Sequence, residues 1–323
     1  MDVCHGLDTF VAPSGGIVLS IGNFDGVHRG HARLIEIVRG VAKRSGAAPT
    51  TMTFHPHPLA VLAPERAPAE LTTLAERLAL LERLGVQCCI VLRSELALLS
   101  LSALDFLAHL VAHCHPRALV EGPDFNFGRG RGGSIATLQE HAGRWGYEVH
   151  VVPAVHCAEL PTNPIISSSS IRQALRDGRI AEANLMLGRS YRIVGTAGHG
   201  AGRGAGLGFP TANLEGIVHP LPQEAVYAAV AQLDDGGLHL AAVNIGPQPT
   251  FADAHTRVEA HLLDFEGDLR GRRIGLHLLA RLREQQKFSG VEALIRQIHA
   301  DVAEARALAP RLDELRQTRP IAL

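Results

Sequence analysis

The hydrophobic period changes once along the chain, near residue 187, and that change restricts the folds open to it. Up to about residue 186, short apolar runs alternate with segments of helical period. Ile17–Ile21, Thr50–Phe54, Ile90–Leu92, Ala118–Val120 and Val149–Val152 read as buried strands; Ala32–Val41, Leu71–Leu84, Ser102–Ala112 and Ile135–Trp145 read as helices. That order implies an α/β domain built on a parallel sheet flanked by helices. Ligands of such sheets sit beyond the carboxyl ends of the strands. From Tyr191 on, Tyr191–Thr196, Val226–Gln232, Leu238–Asn244, Val258–Leu263 and Ile274–Leu279 are short strands separated by turn residues. They imply an antiparallel sheet or small β-barrel, followed by a terminal helix over Val291–Ala307. At 323 residues the chain is long enough for two cores. A helix stopping at Gly188 within "LMLGRSYRI" puts the expected domains at 1–186 and 187–323.

Composition removes several classes of partner. A net charge of −1 and 4% aromatic residues leave no electrostatic footprint for nucleic acid. A pocket for a phosphate-bearing small molecule needs only a few local donors and stays open. No apolar run approaches the roughly 20 residues that span a bilayer, and "MDVCHGLDTF" lacks the basic-then-apolar pattern of a signal peptide. The expected location is therefore the cytoplasm, away from membranes. Five cysteines, with Cys88 and Cys89 adjacent and no C-x-x-C, read as reduced, mostly buried thiols. Neither half shows an internal repeat.

Chemistry concentrates in "IGNFDGVHRGHARLIEIV", residues 21–38. A strand runs into a turn made tight by Gly22 and Gly26, and Gly30 separates two histidines where a side chain would block a ligand. A helix expected to start near His31 then buries Leu34, Ile35, Val38 and Val41. Its N–H groups and dipole would point to the place where His28 and His31 meet, an anion site to which imidazole donors add. Such donors suit adenylyl transfer, in which charge builds on the α-phosphate of ATP. In "ISSSSIRQAL" Ser167, Ser168, Ser169 and Arg172 stand at another helix start, either as a cap or as phosphate ligands. His55 and His57 in "TFHPHP" have no third ligand at metal spacing. "GRGRGG" within "EGPDFNFGRGRGG" is no Walker loop, since no G-K-[ST] follows.

In the second half, "GHGAGRGAGLGFPTANL" (198–214) is too glycine-rich for a regular strand, and its backbone could approach phosphates closely. Alternation in Val258–Leu262 puts Glu259 and His261 on one face and Val258, Ala260 and Leu262 on the other.

These stretches resemble, in order from Gly22 to Ile298, the segments of the bacterial bifunctional riboflavin kinase/FAD synthetase family. "GNFDGVHRGH" is similar to its H-x-G-H signature, "ISSSSIRQAL" to I-S-S-T-x-x-R, "GFPTANL" to the kinase P-T-A-N motif, and "AAVNIGPQPTF", "TRVEAHLLDFEGDLRG" and "LREQQKFSGVEALIRQI" to its later segments. The resemblance implies a Rossmann-like nucleotidyltransferase domain followed by a β-barrel kinase domain with a terminal helix. It implies phosphorylation of riboflavin to FMN, then adenylylation of FMN to FAD with release of pyrophosphate, both with Mg²⁺ and ATP. His28 and His31 would be catalytic in the first half, and Glu259 would take the proton of the riboflavin hydroxyl in the second. ATP would be held by Gly22, Asn23, Phe24, Gly30, Ser167, Ser168, Ser169 and Arg172 in one site. In the other it would be held by Gly200, Arg203, Thr211 and Asn213, the last two also binding Mg²⁺. Asp124, Phe125 and Asn126 would contact the flavin. Ala205, Ala225 and Arg270 depart from the family pattern, and a chain with only its adenylyltransferase module active is one alternative. A non-catalytic flavin- or nucleotide-binding regulator is another. A nucleotidyltransferase of nicotinamide mononucleotide or phosphopantetheine would share the histidine turn but leave the second half unexplained. An oligomer is compatible with the sequence and not required by it.

Overall fold

The computed structural model describes residues 1–198, 208–247 and 257–323. Two compact units, Met1–Ser167 and Ser168–Leu323, divide it.

In the first unit the strands are β1 (Asp2–His5), β2 (Ile17–Ile21), β3 (Ala48–His55), β4 (Cys88–Arg93), β5 (Pro116–Glu121), two short strands β6 (Asn126–Phe127) and β7 (Gly133–Ser134), and β8 (Glu148–Val151). The helices are α1 (Arg29–Ser45), α2 (Pro58–Leu62), α3 (Leu74–Arg83), α4 (Leu96–Leu99), α5 (Ala103–Cys114) and α6 (Ile135–Trp145). Six strands form one parallel sheet in the order β1-β4-β3-β2-β5-β8. Every residue of β2 is buried, because helices cover both faces of the sheet. Leu19, Ile21, Met52, Ile90 and Leu119 pack on Phe106 and Leu110 of α5 and Leu138 of α6. Val18, Ala118 and Val120 pack on Val38 and Val41 of α1. Strand order reverses between β2 and β5, so their carboxyl ends bound the crevice where such sheets bind ligands.

Several element bounds differ from the periodicity by a few residues. α3 begins at Leu74 rather than Leu71, because Thr73 and Glu76 form a reciprocal capping box. β1 escaped notice because only Cys4 among its residues is even partly buried. All five cysteines are free, and four are buried. Burial pushes the Cys89 thiol up to about 11 and that of Cys114 to about 12.

The second unit opens with a helix pair, α7 (Ser168–Arg176) and α8 (Ile180–Leu187). Buried Asn184 ties α8 to two strands of this unit: its amide donates to Leu278 O at 2.9 Å and its oxygen accepts from Tyr191 N at 2.7 Å. The strands β9 (Tyr191–Gly198), β10 (Ala212–Glu215), β11 (Ala225–Leu233), β12 (Leu238–Gly246), β13 (Arg257–Leu262) and β14 (Arg273–Arg283) close into an antiparallel barrel ordered β10-β13-β12-β11-β14-β9. β10 lies inside the stretch read as too glycine-rich for a strand. Its pairing with β9 and β13 comes from distant parts of the chain and closes the barrel. Alanines fill much of β11, where Ala228 faces α9 (Val291–Arg306) through Ala305, and α10 (Ala309–Thr318) follows. Arg283 donates two hydrogen bonds of 2.8 Å to Asp301, pinning α9 to the barrel. The Asp301 side chain is only 6% exposed. Arg283→Met leaves that carboxylate buried without its charged partner, so it is expected to lower the stability of this unit by about 3 kcal/mol, read by denaturant unfolding.

Candidate functional site

At the carboxyl end of β2 the backbone is held in an unusual path. Phe24, Gly26 and Val27 all have positive φ, at 47°, 80° and 37°. For Phe and Val that conformation costs energy and persists only where surrounding contacts impose it. Asp25 supplies them: its buried carboxylate accepts from Leu71 N and Thr72 N, each at 3.1 Å, while Gly26 N donates to the Thr72 hydroxyl at 3.0 Å. Beneath the turn, buried Arg77 donates to the Thr53 hydroxyl and Phe54 O, and the Thr53 hydroxyl donates to Asn23 O at 3.1 Å. The Asn23 side chain lies 3.0 Å from His57 Nε2, and His57 Nδ1 accepts from Leu59 N. Both ring nitrogens of His57 therefore have protein partners.

His28 caps α1, which starts at Arg29, two residues before the expected place. Its Nδ1 accepts the His31 N–H at 3.3 Å. In neutral His28 the proton then resides on Nε2, which makes that nitrogen a donor. One of the N–H groups expected to face a ligand is thus already engaged by His28. The two imidazoles stack with centroids 3.7 Å apart and planes 15° from parallel, and Phe24 meets His31 edge-on at 5.2 Å. Phe24 is 1% exposed, so its ring packs in the core beneath the turn. A Cβ at Gly30 would stand 3.1 Å from the His28 ring and 3.3 Å from Ile166 O. A side chain there would be tight, and the approach sets Ser167, the next residue, beside the histidine turn. Ser168, Ser169 and Arg172 lie on the first turns of α7, in the second unit. Asp124 and Asn126 are exposed, Phe125 stacks on Phe127 at 5.5 Å, and the Asn126 amide donates to Asp124 O.

Asp25 and Glu121 went unnoticed in the sequence. Glu121 ends β5 beside β2, buried to 2% exposure, and accepts the Ile21 N–H at 2.7 Å. Burial pushes its carboxyl well above the usual range, although the Ile21 N–H and the Ser20 hydroxyl act in the opposite sense. An acidic residue closing an apolar strand, "ALVE", was the signal available.

In the second unit the chemistry lies on the outer face of the barrel. Val258, Ala260, Val243 and Ile245 point inward, whereas Asn213, Glu259 and Asn244 point outward. Register places these three side by side: Asn213 opposite Glu259 across β10 and β13, and Asn244 opposite Glu259 across β12 and β13. Cross-strand partners on one face have Cβ atoms about 5 Å apart. Thr211 is exposed just before β10. Asn213 Oδ1 is buried and accepts no hydrogen bond from the described residues. Phe209 meets His261 and His299 edge-on at 5.5 and 5.0 Å, and His261 Nδ1 lies 2.8 Å from Pro210 O. Gly200, Arg203 and Ala205 lie outside the described residues. Ala225 is buried in β11 opposite Ile245, and Arg270 pairs with Asp268 on the surface. Among the described residues no group of three or more His, Cys, Asp or Glu side chains is arranged to hold a metal. An Asn–Thr site falls outside that pattern.

Two sites of different chemistry, one on a parallel sheet and one on a barrel, match two family models. FAD synthetase matches residues 12–169, and riboflavin kinase matches 187–309. The chain is 38% identical over 297 residues to a bifunctional riboflavin kinase/FMN adenylyltransferase of Escherichia coli K12, covering 91% of this chain and 93% of that one. It is 38% identical to that of Pseudomonas fluorescens, over 96% and 98% of the two chains. With that of Bacillus subtilis the identity is 34%, over 89% and 91%. A crystal structure of a macrolide-efflux protein from Streptococcus pneumoniae superposes with a TM-score of 0.83 at 27% identity, covering 95% of this chain and 99% of that one. Among the described residues here, no helix is long and apolar enough to cross a membrane. The chain belongs to the bifunctional riboflavin kinase/FMN adenylyltransferase family.

Glu121 makes the first unit sensitive to pH in a definite direction. Its folded carboxyl titrates above the unfolded value of about 4.3, so between those two values the folded chain binds the extra proton and stability falls as pH rises. Glu121→Gln keeps the acceptor for Ile21 and removes the titration. It is expected to be more stable than the wild type at pH 7, with the difference vanishing below about pH 4, measured by unfolding at both pH values.

Proposed function

We propose that this chain makes FAD from riboflavin in two steps. Residues 187–323 transfer the γ-phosphate of ATP to riboflavin, giving FMN and ADP. Residues 1–186 transfer AMP from a second ATP to FMN, giving FAD and pyrophosphate. The observation that carries the reading is the match of two family models, to residues 12–169 and 187–309, on a chain that folds as two compact units.

In the adenylyl transfer a phosphate oxygen of FMN attacks the α-phosphorus and the bond to the pyrophosphate oxygen breaks. Negative charge grows on the α-phosphate oxygens, where the His28 Nε2–H donates and His31 adds a second imidazole. Gly30 keeps the approach clear, and the backbone of Gly22, Asn23 and Phe24 lines the nucleotide. The hydroxyls of Ser167, Ser168 and Ser169 and the Arg172 guanidinium hold the departing phosphates. Asp124, Phe125 and Asn126 meet the flavin. The strained turn held by Asp25 supports this reading, since such strain recurs at functional sites.

In the phosphoryl transfer Glu259 takes the proton of the ribityl primary hydroxyl as its oxygen attacks the γ-phosphorus and ADP leaves. Gly200 and Arg203 contact ATP phosphates. Thr211 and Asn213 would hold Mg²⁺, for which the buried Asn213 oxygen, without a hydrogen bond from the described residues, is a fitting hard ligand. When bound, the ion neutralises charge on the transferring phosphate. Riboflavin, FMN and ATP are thus the partners; nucleic acid and membrane are not, and oligomerisation is not required. Five free cysteines support a reducing compartment, which we take to be the cytoplasm.

Chromatography of the flavins formed from riboflavin, ATP and Mg²⁺, alongside a reaction started from FMN, tests the reading. Glu259→Gln is expected to slow FMN formation by about 10²–10⁴-fold while leaving adenylylation of supplied FMN unchanged. His28→Ala is expected to slow adenylylation by about 10²–10³-fold and to let FMN accumulate. FAD from FMN with nothing from riboflavin in the wild type would leave only the adenylyltransferase active; no product from either flavin would point to a binding protein.

A further inference from the structure

The side chain of Gln285, two residues beyond β14, reaches past β11 to β12. Its Nε2 donates to Asn244 Oδ1 at 2.9 Å and to Ile245 O at 3.2 Å. Ile245 O is a backbone carbonyl and can only accept, so the nitrogen of Gln285 must face this way. The atom of Asn244 that meets Gln285 is therefore its oxygen. Gln285 approaches from the β11 side, where β14 pairs, and the amide nitrogen of Asn244 is left toward β13. Glu259 is the residue opposite Asn244 on that strand, on the same outer face. A Cβ at Gly246 would collide with the Gln285 amide, so the sequence Asn244-Ile245-Gly246 keeps this path open.

We infer that Asn244, its amide oriented by Gln285, is a positioning residue that presents an N–H donor to the Glu259 carboxylate and fixes it for phosphoryl transfer. The inference rests on the reading of Glu259 as the base. Asn213 flanks Glu259 on the other side, whereas the amide of Asn244 is oriented by Gln285. An acceptor carboxylate held by one oriented donor has fewer rotamers to search, and misplacement of a reacting group is costly to the chemical step.

A double-mutant cycle on the full chain, reading initial rates of FMN formation from riboflavin and Mg²⁺-ATP, tests it. Asn244→Leu is expected to lower kcat about tenfold with the KM values for riboflavin and ATP unchanged. Added to Glu259→Gln, it should cost nothing more. Gln285→Met, which removes the donor but keeps the length, should lower kcat in the same direction by a smaller factor, again only when Glu259 is present. It serves in place of Asn244→Leu should that variant fail to fold, judged by its melting temperature and by FAD formation from FMN, which all these variants should retain. An unchanged kcat in both single variants, a raised KM with kcat intact, or losses that multiply in the Glu259→Gln background would overturn the inference while leaving Glu259 as base. No loss in Glu259→Gln itself would instead remove the base, and the positioning role with it.

Discussion

A carboxylate shut away from water must find hydrogen-bond donors, and the first unit is arranged around one that finds them. Asp25 takes the N–H groups of Leu71 and Thr72, tying the turn after β2 to the segment before α3. That tie explains why α3 waits until Thr73 to begin, and why Phe24 and Val27 are kept at positive φ. The turn so constrained delivers His28 to the helix end as its cap. From there the stacked imidazoles and the close pass of Ile166 over Gly30 result as geometry. Without the buried carboxylate the loop would have many conformations and the histidines no defined partner.

Glu121 shows the opposite resolution of the same problem. It has a single backbone donor of comparable quality, and burial pushes its carboxyl toward the neutral form. It joins the two strands between which the order of the sheet reverses, so a group of low charge borders the crevice at their carboxyl ends. In the second unit the interior of the barrel is apolar, and every group of chemical interest lies outside. Arg283 and Asp301 hold α9 against that outer face, and Phe209 packs between His261 of the barrel and His299 of the helix.

Much of this was legible. Strands buried on both faces, such as β2, and helices with strong caps, such as α5 and α6, announce themselves in short windows because their signals are local. His28 and Gly30 could be singled out because glycine spacing is also local, and Asn213 and Glu259 because their short motifs resemble those of the family. What escaped depended on distant partners. β10 is a strand because residues near 197 and 259 pair with it, and α1 starts early because a histidine, a poor cap by propensity, finds the His31 N–H. Asp25 and Glu121 are ordinary acidic residues until Leu71, Thr72 and Ile21 are brought to them.

By itself, then, the sequence determined most of the longer strands and helices, that two cores would form, and which residue types stood ready for phosphate chemistry, because periodicity and turn chemistry act over a few residues. Only the tertiary structure decided which donors meet which acceptors. The orientation of Asn244 by Gln285, the row of Asn213, Glu259 and Asn244, and the charge state favoured at Glu121 all arise from residues far apart in the chain. Hydrogen bonding and desolvation act over a few ångströms of space, and separation along the sequence carries no information about that distance.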